Sequence, residues 1–297
     1  MYNSVAFKIA GTALRAMLYE VCAAPKPGLV DRESRGAHKD MDIFTFMNSS
    51  AAIFPTMYRC ALTGLENPDI PPQEVFSRIR EIGLQGEEDM FSATGGINTQ
   101  KGLIFALGNI CAAAGRLAGK GEDLTVKNIT ATVSLMVSGI VEEELKKLPD
   151  EKKGFSENKP LTAGQKLFLR YGVTGIRGEV EKGFPTVIKY GLPVFSGLLN
   201  EGVTLNDAMV NTLLHIMTAS EDTNVLWRAG RQGISHMRKQ AEKAIKLGGM
   251  KTREGLEAIR KMDREFIQKN ISPGGSADLL AVTVMLYLIS TIDIKRF

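Results

Sequence analysis

VAFKIAGTALRAMLYEVC, residues 5–22, carries apolar side chains at positions 5, 6, 9, 10, 13, 14, 17, 18, 21 and 22. Pairs four residues apart share one face of a 3.6-residue helix. Pro25 and Pro27 follow and end the helix. The same period returns along the chain. It predicts helices over 40–63, 72–91, 98–118, 125–147, 161–171, 186–200, 204–219, 229–247, 252–269 and 276–292. In the helix over 40–63, Met41, Phe44, Met47, Phe54, Met57, Tyr58 and Leu62 are expected to face inward. No hairpin dipeptide separates alternating runs, so β structure is not expected. The expected fold class is all-α: a single compact domain over residues 1–297, with ten or more helices around a buried C-terminal helix.

Composition narrows the function. The 297 residues are 44% hydrophobic and 24% charged, with a formal net charge of +4. This is an ordinary globular balance. No basic stripe with interleaved aromatics is present, so no nucleic-acid partner is expected. The longest apolar run, LLAVTVMLYLISTI at 279–292, has 14 residues. That is too short to span a bilayer, and no membrane association is expected. Lys8, Arg15 and Glu20 interrupt any leader-like apolar segment near the start, which argues against secretion. Cys22, Cys60 and Cys111 stand alone, which fits small buried residues in a reducing, cytoplasmic setting. The charged stretch EEELKKLPDEKKGFSENKP, 142–160, reads as a solvated loop or as a lid over a site.

Four segments are unlike packing. PKPGLVDRESRGAHKDMD, 25–42, sets Lys26, Asp31, Arg32, His38, Asp40 and Asp42 on a loop running into a helix start. Of Asp40 and Asp42, one can cap the helix while the other reaches a metal. ATGGINTQKGLIF, 93–105, places Thr94, Gly95, Gly96, Asn98 and Thr99 at the head of an apolar helix, with Lys101 one turn inside. Helix amino ends attract anions, and a cation there asks for a negative partner. Glu87 precedes this stretch. EDTNVLWRAGRQG, 221–233, offers Asp222 as a cap and Arg228 beside the single tryptophan; Arg177 and Glu179 lie between glycines at 171–185. NISPGGSADLLA, 270–281, repeats the glycine-headed design with Ser272, Gly274, Gly275 and Ser276, and puts Asp278 in the first turn. Two such helix starts, with Lys26, Lys101, Arg177 and Arg228, favour a polyphosphate ligand. His38, His215 and His236 are far apart, and no HExxH or GxSxG spacing occurs. Carboxylates, cations and backbone amides are left to carry any chemistry.

PKPGLVD, GAHKDMD, TGGINTQKG, YGVTGIRGE, EKGFP, DTN followed by Arg228, and SPGGSADLLA stand in this order between about residues 20 and 290. In this the chain resembles the triphosphoribosyl-dephospho-CoA synthase family. The resemblance implies an all-helical fold, ATP and 3′-dephospho-CoA as substrates, adenine as leaving group and a need for Mg²⁺. It implies a prosthetic-group precursor for the acyl carrier protein of citrate lyase, with malonate decarboxylase as the alternative. A downstream holo-acyl-carrier-protein synthase is then a candidate partner. The family's inverted anomeric configuration implies one in-line displacement at the ribose C1.

On that reading the catalytic candidates are Glu87, Asp222 and Asp31, with Glu87 or Asp222 as the base. Asp40 and Asp42 are the candidate metal ligands. Lys26, His38, Thr94, Gly95, Gly96, Asn98, Thr99, Lys101, Arg177, Arg228, Ser272, Gly274, Gly275 and Ser276 are the candidates for binding phosphates and nucleotide. One departure stands out: Gln100 replaces the family's usual histidine, and an amide cannot change protonation state near neutral pH. The same groups would also serve a nucleotide hydrolase, and Gln100 tilts toward a non-catalytic nucleotide-binding module.

Overall fold

The protein is described here from a computed structural model covering residues 3–147 and 161–291. Most of the stretch 142–160 lies outside the described residues. Among the described residues there are twelve α-helices and no strands. They are α1 (Ser4–Cys22), α2 (Ile43–Glu66), α3 (Pro72–Ala93), α4 (Lys101–Gly119), α5 (Val126–Met136) and α6 (Ala163–Tyr171). Then follow α7 (Gly175–Glu181), α8 (Leu192–Asn200), α9 (Leu205–Ala219), α10 (Thr223–Lys246), α11 (Arg253–Gln268) and α12 (Gly274–Ile289).

The expected buried C-terminal helix is α12, in which eleven of sixteen residues are buried. It shares the centre with α4, in which fourteen of nineteen are buried. By length and composition α4 would also pass for a membrane span, but 78% of its apolar window is covered by the protein itself. One hydrophobic core runs from Ala6 on α1 to Ile289 on α12. Cys60 and Cys111 sit in it as free thiols, and burial pushes the Cys60 thiol up to about 12.

The closest helix pair is α2 with α4. A Cβ added at Gly64 would lie 2.0 Å from the Ala112 carbonyl oxygen, and one at Gly115 would lie 2.0 Å from that of Ala61. Two glycines thus let the backbones touch. The contact also explains a difference from the sequence pattern. Phe44 and Met47 of α2 are exposed, at 69% and 36%, instead of facing inward. On this stretch the inward positions belong to Ser49 and Ser50, small enough for the gap to α4.

Other boundaries shift for local reasons. The predicted helix over 125–147 ends at Met136, where Gly139 turns with φ 90°. The Glu181 carboxylate accepts from the Gly139 N–H at 2.7 Å and holds that turn. A π-type turn, Glu142–Lys146, follows. The predicted helix over 229–247 begins earlier, at Thr223, and is broken at Gly230.

Gly64→Ala and Gly115→Ala are each expected to destabilise the fold. Overpacking against backbone costs about 1–3 kcal/mol, more than the roughly 1 kcal/mol that alanine gains over glycine in helix propensity. Urea unfolding midpoints of the two variants check this.

Candidate active site

A cleft of about 1500 Å³ opens between α3, α4, α7 and the amino ends of α10 and α12. Ordinary small-molecule pockets hold about 300–1,000 Å³, so this one has room for a large or a double ligand. Arg80, Lys101, Arg177, Lys182 and Arg238 border it, as do Glu87, Glu144, Glu179, Glu221, Asp222 and Asp278. Cys60, Phe76, Ile79 and Phe105 line it further along α4.

Asp222 is the hinge of this arrangement. Its Oδ1 accepts from the Asn224 and Val225 N–H groups at 3.0 and 3.1 Å, capping α10. Its Oδ2 accepts from the Ser276 N–H at 2.6 Å and the Ser276 hydroxyl at 2.9 Å, at the head of α12. Orphan N–H groups of two helices thus share one buried carboxylate. The anion that the glycine-headed start of α12 attracts is therefore a side chain of the protein. Burial raises the proton affinity of Asp222, while these hydrogen bonds lower it.

Asp278 is different. It stands one turn into α12 and borders the cleft, with no hydrogen bond or ion pair to another described residue. A Cβ at Gly102 would lie 2.5 Å from its Oδ2, so the bare backbone of Gly102 makes room for the carboxylate at the head of α4. Desolvation raises its pKa well above the usual carboxylate range, and the nearby charges of Glu20 and Asp222 add to this. Behind it Glu20 is buried and paired with Lys26.

The cations meet acids across the cleft. Lys101 pairs with Glu87 at 2.5 Å, which supplies the negative partner that its place at a helix start demands. Arg80 and Arg177 both hold Glu144, at 2.5 and 2.6 Å. Glu179 accepts from the Thr186 hydroxyl at 2.5 Å and the Thr186 N–H at 3.2 Å. Burial raises its pKa, and the charge of Glu221 contributes in the same direction.

Of the candidate catalytic, metal and binding residues named from the sequence, Glu87, Asn98, Thr99, Lys101, Arg177, Asp222, Gly274 and Gly275 border the cleft together. The others do not. Thr94, Gly95 and Gly96 close the carboxyl end of α3: the Gly96 N–H donates to the Phe91 carbonyl at 2.7 Å and the Thr94 hydroxyl to that of Met90 at 2.8 Å. Asp31 shapes its own loop, accepting from the N–H groups of Lys26, Glu33 and Ser34 at 2.7–2.8 Å. The Lys26 ammonium is turned inward to Glu20, and Ser276 is consumed by Asp222. His38, Arg228 and Ser272 form a separate cluster. His38 Nε2 lies 2.8 Å from the Ser272 hydroxyl, and Arg228 lies 3.3 Å from His38 Nδ1. Burial and the Arg228 charge lower the His38 pKa, which keeps the ring neutral near pH 7.

Gln100 also lies outside the cleft lining. It is buried behind Thr99, with its carbonyl oxygen accepting from the Ser49 hydroxyl at 2.7 Å. The position at which the resemblance implies a histidine thus falls behind the wall, with the Gln100 Nε2 buried and without a hydrogen-bond partner among the described residues. Sequence reasoning passed over Arg80, Lys182, Arg238, Asn109 and the free state of Asp278. Two of these had a signal: Asp278 is the lone acidic or basic residue between Asn270 and Thr291, and Asn109 the lone amide between Lys101 and Arg116.

Mg²⁺ takes hard oxygen donors, commonly one or two carboxylates plus substrate phosphates. Asp40 and Asp42 do not make such a pair. Asp42 caps α2 in a capping box with Thr45 and is paired with Arg35, while Asp40 is exposed beside His38. Among the described residues no three acidic, His or Cys side chains gather into a metal cluster. The donor chemistry fits better in the cleft, where Glu179 is oriented by Thr186 and feels Glu221.

An all-helical protein with a wide cleft, a row of cations and, in Asp278, a desolvated acid with no partner among the described residues is built as an enzyme for a large polyanionic substrate. The family model of ATP:dephospho-CoA triphosphoribosyl transferase matches residues 6–297, and the chain belongs to that family of transferases. The 2-(5′′-triphosphoribosyl)-3′-dephosphocoenzyme-A synthase of Klebsiella pneumoniae is 42% identical over 272 residues, covering 92% of this chain and 87% of its own. A Citrobacter koseri protein assigned the same name is 42% identical over 281 residues, 95% of this chain and 90% of its own. A crystal structure from Archaeoglobus fulgidus, assigned as a triphosphoribosyl-dephospho-CoA synthase, matches with a TM-score of 0.50. It covers 82% of this chain and 99% of that one at 16% identity, a likeness of fold.

Asp222→Ala is expected to cost roughly 2–3 kcal/mol, since it uncaps two helices at once. Asp278→Asn is expected to do the opposite, and only at higher pH. The folded chain holds the Asp278 proton above the usual carboxylate range, so wild-type stability falls as pH rises through that raised pKa. The melting temperature of Asp278→Asn should match wild type near pH ~4 and exceed it near pH ~8. Calorimetric melting of both variants across pH tests the pair.

Proposed function

We propose that this cleft joins ATP to 3′-dephospho-CoA and releases adenine, giving 2′-(5′′-triphosphoribosyl)-3′-dephospho-CoA. Family membership over nearly the whole chain supports the reading. So does the identity to the Klebsiella and Citrobacter proteins. The observation that carries it is a wide cleft that gathers a row of cations around Asp278, which has no partner among the described residues.

The 2′-oxygen of the dephospho-CoA adenosine attacks C1 of the ATP ribose. The new C–O bond forms as the C1–N9 bond breaks, its electron pair leaves on N9, and adenine takes up a proton. Positive charge builds on the ribose ring as it does in glycoside hydrolysis. Asp278 is our choice of base. Glu87 is held by Lys101, and the Asp222 oxygens are committed to helix ends. Asp278 alone among these three acids carries neither a cation nor a hydrogen-bond donor among the described residues, and its raised pKa brings it toward the operating pH. Its ionised form takes the hydroxyl proton, and the Asp222 charge beside it favours the cationic sugar. Lys101, Arg177 and Arg80 exchange their protein acids for triphosphate oxygens, Lys182 on the same cleft adds its charge, and together they fix the ribose in place. Glu179 and Glu221 would hold Mg²⁺, which neutralises phosphate charge when bound. The product is a prosthetic-group precursor for the acyl carrier protein of citrate lyase. A holo-acyl-carrier-protein synthase would take it onward, and a cytoplasmic setting suits both substrates.

Adenine release followed by chromatography tests the reaction: it should require both substrates, whereas ADP or phosphate formed from ATP alone would point to a hydrolase. Asp278→Asn is expected to lower kcat by about 10²–10⁴ with ATP binding retained. Wild-type kcat/KM should rise with pH through the raised Asp278 pKa. Normal turnover by Asp278→Asn removes that residue from the chemistry. Glu179→Gln is expected to raise the Mg²⁺ concentration needed for half activation by roughly 10–100-fold, read from Mg²⁺ titrations of the rate.

A further inference from the structure

We propose that Asn109 reads an adenine ring, accepting a hydrogen bond from its 6-amino group at the apolar end of the cleft. The inference rests on the nucleotide reading above and adds the residue and the contact that would select the base.

Helix α4 connects the two ends of the cleft. Gly102 abuts Asp278 at one end. Asn109 borders the cleft two turns later, roughly 10 Å along the helix axis. Here the lining is Cys60, Phe76, Ile79, Phe105 and Gly108. The rings of Phe76 and Phe105 meet edge to face with centroids 6.3 Å apart. Apolar walls with one placed polar group are what a flat heteroaromatic ring requires. A purine seated there turns its glycosidic carbon back toward Asp278.

The free atom of Asn109 specifies what it can bind. The side chain is 2% exposed. Its Nδ2 donates to the Phe105 carbonyl at 2.9 Å. A carbonyl only accepts, so this contact sets the amide orientation and leaves Oδ1 as the free atom. Oδ1 is buried and has no hydrogen-bond partner among the described residues. An unpaired buried acceptor costs about 1–3 kcal/mol, and only a donor relieves it. On the ring of adenine the 6-amino group is the donor, and N1, N3 and N7 accept. ATP and dephospho-CoA both carry this ring, so the test has an arm for each.

Calorimetry on the full chain compares ATP with purine riboside 5′-triphosphate, which has hydrogen in place of the amino group. The second arm compares dephospho-CoA with its desamino analogue. Inorganic tripolyphosphate serves as the control. Wild type should prefer the amino compound by about 10–100-fold in one arm, and that arm identifies the substrate whose base sits beside Asn109. Asn109→Leu and Asn109→Ala should lose the preference and keep tripolyphosphate affinity. The proposal is overturned if wild type shows no preference in either arm, or if the preference survives in both variants. It is overturned equally if both variants lose tripolyphosphate binding, because Asn109 then serves packing. A wild-type protein that binds none of the nucleotides or tripolyphosphate removes the nucleotide reading itself. Binding without discrimination removes only the role of Asn109.

Discussion

A helix amino end leaves N–H groups that its own carbonyls cannot reach, and in this protein Asp222 answers two such ends at once. One oxygen closes α10 and the other closes α12. Because α12 runs through the core, the carboxylate that meets it must be buried too. The remaining geometry of the cleft follows. Asp278, two residues beyond Ser276, shares a small volume with Asp222, and each charge makes the other's harder to form. Gly102 yields the space in which Asp278 can stand beside α4.

The cleft therefore holds two electrostatic regimes. Along the rim, cations and acids pair in geometry open to solvent, as in Lys101 with Glu87 and Arg80 with Glu144. Such pairs are worth little to the fold, which makes them easy to exchange for an incoming polyanion. At the floor, Asp222 and Asp278 stand close together without a cation between them, and burial raises the pKa of both, that of Asp278 well above the usual carboxylate range. Rim and floor suit successive tasks, holding a polyphosphate chain and then working on the sugar attached to it. The transferase family to which the chain belongs needs both.

Much of the site was legible from residue types. Glycine-headed helix starts flagged the regions of Asn98–Lys101 and Gly274–Gly275, and both reach the cleft. What they bind was not legible. A helix start that attracts anions does not say whether the anion is a ligand or a side chain, and for α12 it is Asp222. The TGG of residues 94–96 looked like a cradle and is the closing turn of α3, because the same positive-φ freedom serves both uses. Asp40 and Asp42 looked like a metal pair, yet a carboxylate just before a helix satisfies N–H groups first.

By itself the sequence determined most of the helices, through a 3.6-residue period that any apolar interior rewards; the short, glycine-rich α7 carries too little of that period and was not expected. The sequence also pointed to α12 as the buried helix, apolar on nearly every face, while the equal depth of α4 came from the structure. Through the order of its motifs it pointed to the family. Only the tertiary structure decided which charges meet. Glu87 with Lys101, Glu144 with two arginines, and Asp278 with no cation among the described residues are outcomes of how helices far apart in sequence cross. Local spacing records the face on which a side chain emerges. Its desolvation and its partner depend on what the other helices place opposite it.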